Sequence, residues 1–522
     1  MNTRAPASRF TVRFALLAMV ALAVPATGQV HYFTDGWPWT AQTSSGPDAG
    51  VSGWYYNLGI TGIRIQLVGN APNDMVVRHV FPGSPAQGLV SVGDHIVGAG
   101  GQDFVEPHQN GYGVNVFGAQ GPVSEFAVAL EAAQSSAGTG QLALHLSSHG
   151  SLHDVVLDVG QAYGAFSPTY PDNCPKSELI RVELLDYLVQ HQSANGSWGN
   201  PVNDLWASLA LIADGGQTQL DAARSCAQYL ADTTAPTTSE WLPNWRYMSA
   251  GIVLAEFYLA TGERWVLPEL VEVQEFLYFS QYTHPDQIDP EAAITHPGSF
   301  PTHDLDSLGG WGHNPGFEGY GPIGMLTGEG ALVYSLMSRC GLVIDWWRHD
   351  RAYEFLARGT GPNGYLWYSD EVASNTSWAD QGRTGAAAVA NWFVPPISGQ
   401  RFSSSVAGWF QPQFGKKYRS RALKQIEQIG SHPQTFPDTH GSPILGMGFT
   451  AAAAHLVPDS FRSLMDANRF WFALSQCTDG SFYYQPNRDN AGYGADSRIS
   501  ASAVTAFIFS MPMKSLVITG KS

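Results

Sequence analysis

A chain of 522 residues that is 44% hydrophobic, with 16 Trp, 21 Tyr and 26 Phe, can build more than one packed core and excludes long disordered stretches. Its 44 acidic residues outweigh 27 Lys and Arg to give a net charge of −17, a surface that repels phosphate backbones and argues against a nucleic-acid partner. Cys174, Cys226, Cys340 and Cys477 lack the CxxC spacing of a zinc knuckle, and two disulfides suit them as well as four buried thiols do.

Residues 1–28 read as a secretory signal. Arg4, Arg9 and Arg13 lead into an apolar run from Phe14 to Ala26, and Ala26-Thr27-Gly28 offers small residues for cleavage. That run is shorter than the roughly 20 residues that span a bilayer. The expectation is a periplasmic or extracellular protein without stable membrane insertion. Residues 29–50 follow as an N-terminal arm of Gly, Ser, Pro and scattered aromatics.

Residues 51–160 predict a small, mostly β domain. Gly62 to Leu67 alternates as a half-buried strand does, and Met75 to Phe81 is a second strand. Pro82 to Ala86 opens a helical turn, and Gly93 to Val97 runs from a turn into a strand. Val123 to Gln134 has helical spacing at Phe126, Ala127 and Leu130, and two further strands lie at Gln141–Ser147 and Leu152–Val159. The phrase Pro82-Gly83-Ser84-Pro85-Ala86…Gly88-Leu89…Val92-Gly93-Asp94-His95-Ile96 resembles the helix-turn-strand core of PDZ domains. The resemblance implies a carboxylate-binding loop at Leu58-Gly59-Ile60-Thr61-Gly62. It also implies a groove in which Leu58, Gly59, Ile60, Phe126 and Leu130 hold peptide or protein C-termini. Docking against a neighbouring domain is the competing role for such a module.

Residues 161–176, with three Pro after Phe166, read as a linker, and residues 177–522 as a second, all-α domain. Twelve helical stretches alternate there in six pairs. Ser177–Gln192 pairs with Asp204–Asp214, Gln217–Ala231 with Trp245–Ala260, and Trp265–Gln281 with Gly324–Cys340. Asp345–Arg358 pairs with Gly382–Phe393, Lys416–Ile429 with Ile444–Leu456, and Phe461–Gln476 with Ile499–Ser510. The first of each pair carries more charge and belongs outside, while the second is rich in Ala, Gly and Ser and belongs inside. The fold class is therefore multidomain: a PDZ-like domain followed by an (α/α)6 toroid.

A phrase recurs where outer helices end: aromatic, aliphatic, three residues, Gln, three residues, Gly, one residue, aromatic. It stands at Tyr187-Leu188…Gln192…Gly196-Ser197-Trp198 and at Trp471-Phe472…Gln476…Gly480-Ser481-Phe482. Looser copies are Phe276-Leu277…Gln281 with Gly309-Gly310-Trp311, and Phe355-Leu356…Thr360…Gly364-Tyr365-Leu366. The glycine is expected to stop the helix and the glutamine to bond orphaned backbone groups. The phrase resembles the repeat of terpenoid cyclases and protein prenyltransferases, which share that toroid. As a whole the chain resembles an uncharacterised family of exported bacterial proteins joining a PDZ domain to such a toroid.

Neither enzyme chemistry carries over directly. Asp304-Leu305-Asp306-Ser307 lacks the last acid of the cyclase Asp-x-Asp-Asp motif, and Cys340 has no partner motif for a prenyltransferase zinc site, so no metal and no cofactor are expected. The loops entering the inner helices do concentrate polar groups: His303, Asp304, Asp306, His313 and Glu318 in the third, and Trp378, Asp380 and Arg383 in the fourth. Asp438 and His440 stand in the fifth, and Arg488, Asp489, Asp496 and Arg498 in the sixth. His303, Asp304, Asp306, His440, Arg488 and Asp496 are the catalytic candidates, since acids and His move protons while Arg steadies developing charge. Helix caps and salt-bridged loop braces account for the same residue types equally well. The expected ligand is a glycan or a small apolar molecule. The leading reading is an exported protein of open activity whose PDZ-like module binds peptide termini and whose toroid offers a ligand pocket, catalytic or a non-catalytic scaffold; the alternative is a glycan hydrolase or lyase, and a weaker one an isoprenoid cyclase.

Overall fold

The computed structural model describes residues 54–68, 71–108, 121–236, 240–372, 380–394, 418–436, 443–483 and 498–521. The signal and the arm lie outside them, as do His440, Arg488 and Asp496. Among the described residues no helix is long and apolar enough to cross a membrane.

The N-terminal unit is one antiparallel sheet. Its strands are β1 (Trp54–Asn57), β2 (Ile63–Val68), β3 (Ala71–Val80), β4 (His95–Ala99), β5 (Gln102–Asp103), β6 (Gln141–Ser148) and β7 (Ser151–Asp158). They run in the order β1-β2-β3-β4-β6-β7, with β5 paired to β4. Helix α1 (Pro122–Gln134) packs on β3, β4 and β6 and buries Phe126 and Leu130. Between β1 and β2, Leu58 to Gly62 forms a single tight turn, with Gly62 at φ 71° donating its N–H to the Gly59 carbonyl.

The rest of the chain is a closed ring of helices. In chain order these are α2 (Pro175–Gln190), α3 (Pro201–Asp214), α4 (Gln217–Thr233), α5 (Pro243–Thr261), α6 (Val266–Ser280), the one-turn α7 (Ala292–Thr295) and α8 (Gly324–Arg339). Then come α9 (Trp346–Gly359), α10 (Gly382–Phe393), α11 (Tyr418–Ser431), α12 (Pro443–His455), α13 (Pro458–Ala467), α14 (Arg469–Ser475) and α15 (Arg498–Ser510). Helices α3, α5, α8, α10, α12 and α15 each pack on the next, and α15 packs back on α3. Small residues let their backbones approach: a Cβ on Gly328 of α8 would lie 2.9 Å from the Ala386 methyl of α10. A Cβ on Gly448 of α12 would strike the Trp206 ring, which reaches across from α3 and stacks on Phe507 of α15. Trp206, Phe449 and Phe507 thus fill one side of the ring's interior.

The repeated phrase is a three-helix brace. Gln192 Nε2 donates to the Gly196 carbonyl of its own loop and to the Ala222 carbonyl of the next outer helix, both at 2.8 Å. Gln281 repeats this with Gly309 (2.8 Å) and Arg348 (2.9 Å). The indoles of Trp198 and Trp311 donate back to Leu188 and Leu277, the aliphatic members of their own copies. Each copy's last member also ties its backbone N–H to an inner helix: Trp198 to Asp204, Trp311 to Thr327, Leu366 to Thr384 and Phe482 to Ser502. The expected role of the glycine is corrected here. Gln281, Thr360 and Gln476 cap their helices, whereas Gly196, Gly309 and Gly364 sit farther on with φ of 94°, 93° and 94°. A Cβ there would fall 2.2–2.5 Å from carbonyls of Ser225, Arg351 and Lys424, so glycine is required for contact with the neighbouring outer helix, and not as a helix stop.

The last outer helix also differs from the single stretch Phe461–Gln476 read from the sequence. It breaks at Asn468, whose side-chain amide donates to the Leu464 and Pro433 carbonyls at 2.8 Å. The second piece, α14, then lies against α1 and the turn at Gly59. Glu131 of α1 accepts from Arg469 Nε at 2.5 Å and from the Phe166 N–H at 2.9 Å. The buried Lys176 ammonium lies 3.9 Å from the same carboxylate.

At the ring's far end, where the inner helices finish, the C-terminal segment closes the floor. Both oxygens of Glu256 on α5 accept backbone N–H groups, from Val517 at 3.0 Å and Ile518 at 2.9 Å. The four cysteines are buried in separate places and no disulfide joins them.

Candidate functional site

The mouth is the end where inner helices begin. Three of them bring polar and aromatic groups together there. Trp245, in the first turn of α5, donates its indole N–H to His313 Nδ1 at 2.8 Å. An indole nitrogen can only donate, so His313 Nδ1 accepts and its ring hydrogen resides on Nε2. Nε2 meets the Tyr320 hydroxyl, and that hydroxyl bonds the Tyr368 hydroxyl at 3.0 Å. Gly324, the first residue of α8, donates its N–H to the Tyr368 carbonyl at 2.7 Å, which fixes the chain of groups to the helix start.

Arg383, in the first turn of α10, stands beside this chain. It is buried, bonds Asp380 at 2.6 Å and the Tyr365 hydroxyl at 3.0 Å, and lies 5.5 Å from the ring centres of both Trp367 and Tyr368. Burial works against its charge, but Asp380 and the surrounding phenols hold its pKa above the ordinary value. Burial pushes the Tyr368 hydroxyl up as well, and Tyr320 adds to that shift. His313, Tyr320, Tyr368 and Trp245 are only partly buried, and Trp367 is 40% exposed, so the cluster faces the entrance. Such a surface offers ring faces and hydroxyls, with the buried Arg383–Asp380 pair behind them.

Deeper in the ring lies Glu329. Helix α8 presents Gly328 to Ala386 of α10 and Gly330 to Trp311 on the outer side. Successive residues are about 100° apart, which turns the position between them toward the interior. Glu329 is fully buried, and neither carboxyl oxygen has a hydrogen-bond partner among the described residues. Burial raises its pKa well above the carboxylate range, and no charged neighbour opposes the shift.

The sequence candidates fall elsewhere. Asp306 accepts from Thr302 N and Oγ1 at 2.7 Å and from His303 N at 3.1 Å, while His303 Nε2 lies 2.8 Å from its other oxygen. Partial burial pushes the Asp306 pKa up, but the Thr302 and His303 bonds outweigh it and leave the pKa lowered. Asp304 is exposed beside them. These three side chains form one surface turn. Asp204 is pushed up to about 6 by burial, against the opposing N–H of Trp198 and hydroxyl of Ser197. Its place in the brace matches that of Thr327, Thr384 and Ser502, which assigns it to structure.

The peptide-groove residues are also accounted for. Leu58, Gly59, Ile60, Phe126 and Leu130 are all buried, and α14 of the same chain packs against α1 and the turn at Gly59. A Cβ on Gly59 would lie 2.9 Å from the Ala473 carbonyl of α14. Trp245, Tyr320, Tyr368 and Glu329 were not singled out by sequence. The one signal for Glu329 was an acid between two glycines in an otherwise apolar helix.

Among the described residues no group of three or more His, Cys, Asp or Glu is placed to hold a metal ion. Residues 177–520 match the family model described as a domain of unknown function, DUF6288. No curated protein matches the chain. Among solved structures, the GH76A alpha-1,6-mannanase from Salegentibacter sp. HEL1_6 aligns at 12% identity over 65% of this chain and 99% of its own, with a TM-score of 0.45. Cellobiose 2-epimerase from Bacillus thermoamylovorans B4167 aligns at 9% identity over 64% and 99%, with a TM-score of 0.43. The ring described above rests on its own helix packing, and these likenesses add nothing about activity.

Proposed function

The chain belongs to the DUF6288 family, whose description assigns no activity, and we propose from its own mouth site that it is an exported protein whose ring binds a saccharide. The observation that carries this reading is the hydrogen-bonded chain Trp245–His313–Tyr320–Tyr368 at a half-open entrance beside Arg383. Sugars offer apolar C–H faces that sit on aromatic rings and hydroxyls that both donate and accept. Exposed aromatic faces and tyrosine hydroxyls complement that chemistry, while the tautomer-fixed histidine and the buried Arg383–Asp380 pair hold those groups in place. In the same reading the sheet unit is a PDZ-like module whose groove is occupied by α14. It then acts as a docking brace for the ring and not as a receptor for free peptide C-termini.

The test is a thermal-shift and calorimetry screen of the full chain against soluble mannan, xylan, β-glucan and dextran oligosaccharides. Binding by at least one, weakened in Tyr368→Phe and Trp367→Ala, is the expected result. A flat response to all of them would remove the saccharide reading.

A further inference from the structure

We propose that Glu329 is the proton donor of a glycoside-cleaving reaction carried out inside the ring, beneath the mouth site. The inference rests on the saccharide reading above and adds a reaction to it.

Three observations point there. First, the position is built: Gly328 packs on Ala386 and Gly330 on Trp311, and helix geometry turns the residue between them toward the interior. Second, the group is bare. Buried polar atoms are almost always hydrogen-bonded, so a fully buried carboxyl with neither oxygen partnered among the described residues calls for a reason beyond folding. Third, it lies under the entrance. Glu329 is five positions past Gly324, whose N–H is held by Tyr368, and that places it roughly 7–8 Å of helix rise below the mouth cluster.

A carboxyl kept protonated by an apolar setting is what acid catalysis of acetal cleavage needs. The Glu329 O–H proton passes to the leaving glycosidic oxygen as the bond from that oxygen to the anomeric carbon breaks. Water then forms a new bond to the anomeric carbon, and its displaced proton returns to the Glu329 carboxylate. One water is consumed, two sugar hydroxyl-bearing ends are produced, and the acid is regenerated. Glu329 touches the substrate in this scheme. Arg383 and the Tyr320–Tyr368 pair position it.

The experiment pairs binding with turnover in the full-length protein. Each oligosaccharide that binds is incubated with wild type, Glu329→Gln and Glu329→Asp, and new reducing ends are counted. The expected result is release by wild type, with Glu329→Gln slower by roughly 100-fold or more, binding unchanged, and Glu329→Asp restoring part of the rate. Thermal melts of both variants separate lost chemistry from lost fold. Binding without release, or equal release by Glu329→Gln, overturns the proton-donor role and leaves the saccharide reading intact. Failure of all four oligosaccharide families to bind overturns both.

Discussion

The floor and the interior of the ring each bury a glutamate, on neighbouring helices, and the two are treated in opposite ways. Glu256 on α5 receives two backbone N–H groups and pins the C-terminal segment, whereas Glu329 on α8 receives nothing among the described residues. The seam between α1 and α14 resembles the floor: Glu131 there is matched by Arg469, Phe166 N–H and Lys176. Burial alone therefore does not mark a functional acid. What separates the three glutamates among the described residues is satisfaction: Glu131 and Glu256 are bonded and Glu329 is not.

The seam between α1 and α14 should respond most strongly. Arg469→Ala leaves Glu131 buried with its nearest cation 3.9 Å away, and should lower stability by about 3 kcal/mol in urea denaturation. It should also open the segment around Phe166 to limited proteolysis. An unchanged midpoint would mean that α14 is held by apolar contact alone.

The floor can be tested by pH. Burial pushes Glu256 up from 4.5 to about 7 despite the Ile518 and Val517 N–H groups. The folded state then keeps a proton that the unfolded chain has already lost, so stability is fullest below pH 4.5 and falls as pH rises toward 7. The loss is at most about 3 kcal/mol. Asp204, raised to about 6, adds to the same slope. Glu256→Gln should flatten the curve, because its amide does not titrate, and should lower the plateau, because an amide NH2 cannot accept the second N–H. A pH profile identical to wild type would show that the clamp carries no proton linkage.

The interior should respond in the opposite direction. Glu329→Leu removes an unpaired buried carboxyl and keeps much of its volume, so melting should shift upward, by about 1–2 kcal/mol of added stability. A clear destabilisation would place Glu329 with Glu256, among groups the fold uses.

How much of this contrast was legible beforehand follows from how local each feature is. The helix pairs were legible because apolar spacing is local; α10 was read as Gly382–Phe393 and is found there. The glutamine of the repeat was legible at its helix end. The glycine's purpose was not, because the atoms that demand it belong to another helix: Gly196 meets Ser225, and Gly364 meets Lys424. The break at Asn468 stayed hidden inside a continuous apolar pattern, and with it the packing of α14 on α1. At the mouth, His313, Asp380 and Arg383 stood out as polar loop residues, whereas Trp245, Tyr320 and Tyr368 come together through hydrogen bonds between the start of α5 and two separate loops. Charged residues in exposed turns, such as His303 and Asp304, drew attention that a buried Glu329 did not.

The smallest expected effect is the sharpest on mechanism. The Tyr320 hydroxyl links His313 to Tyr368, so Tyr320→Phe removes that link and leaves the ring faces in place. If the entrance recognises sugar mainly through stacking, affinity is unchanged. If the ordered hydroxyl chain is part of recognition, the cost is about 1 kcal/mol, roughly a fivefold rise in Kd, with melting nearly unaltered because the site is half open to water. Calorimetric titration of the best oligosaccharide into wild type, Tyr320→Phe and Trp367→Ala separates the two. A loss confined to Trp367→Ala assigns recognition to the aromatic faces, while a loss in both shows that the Trp245–His313–Tyr320–Tyr368 chain is itself read by the ligand.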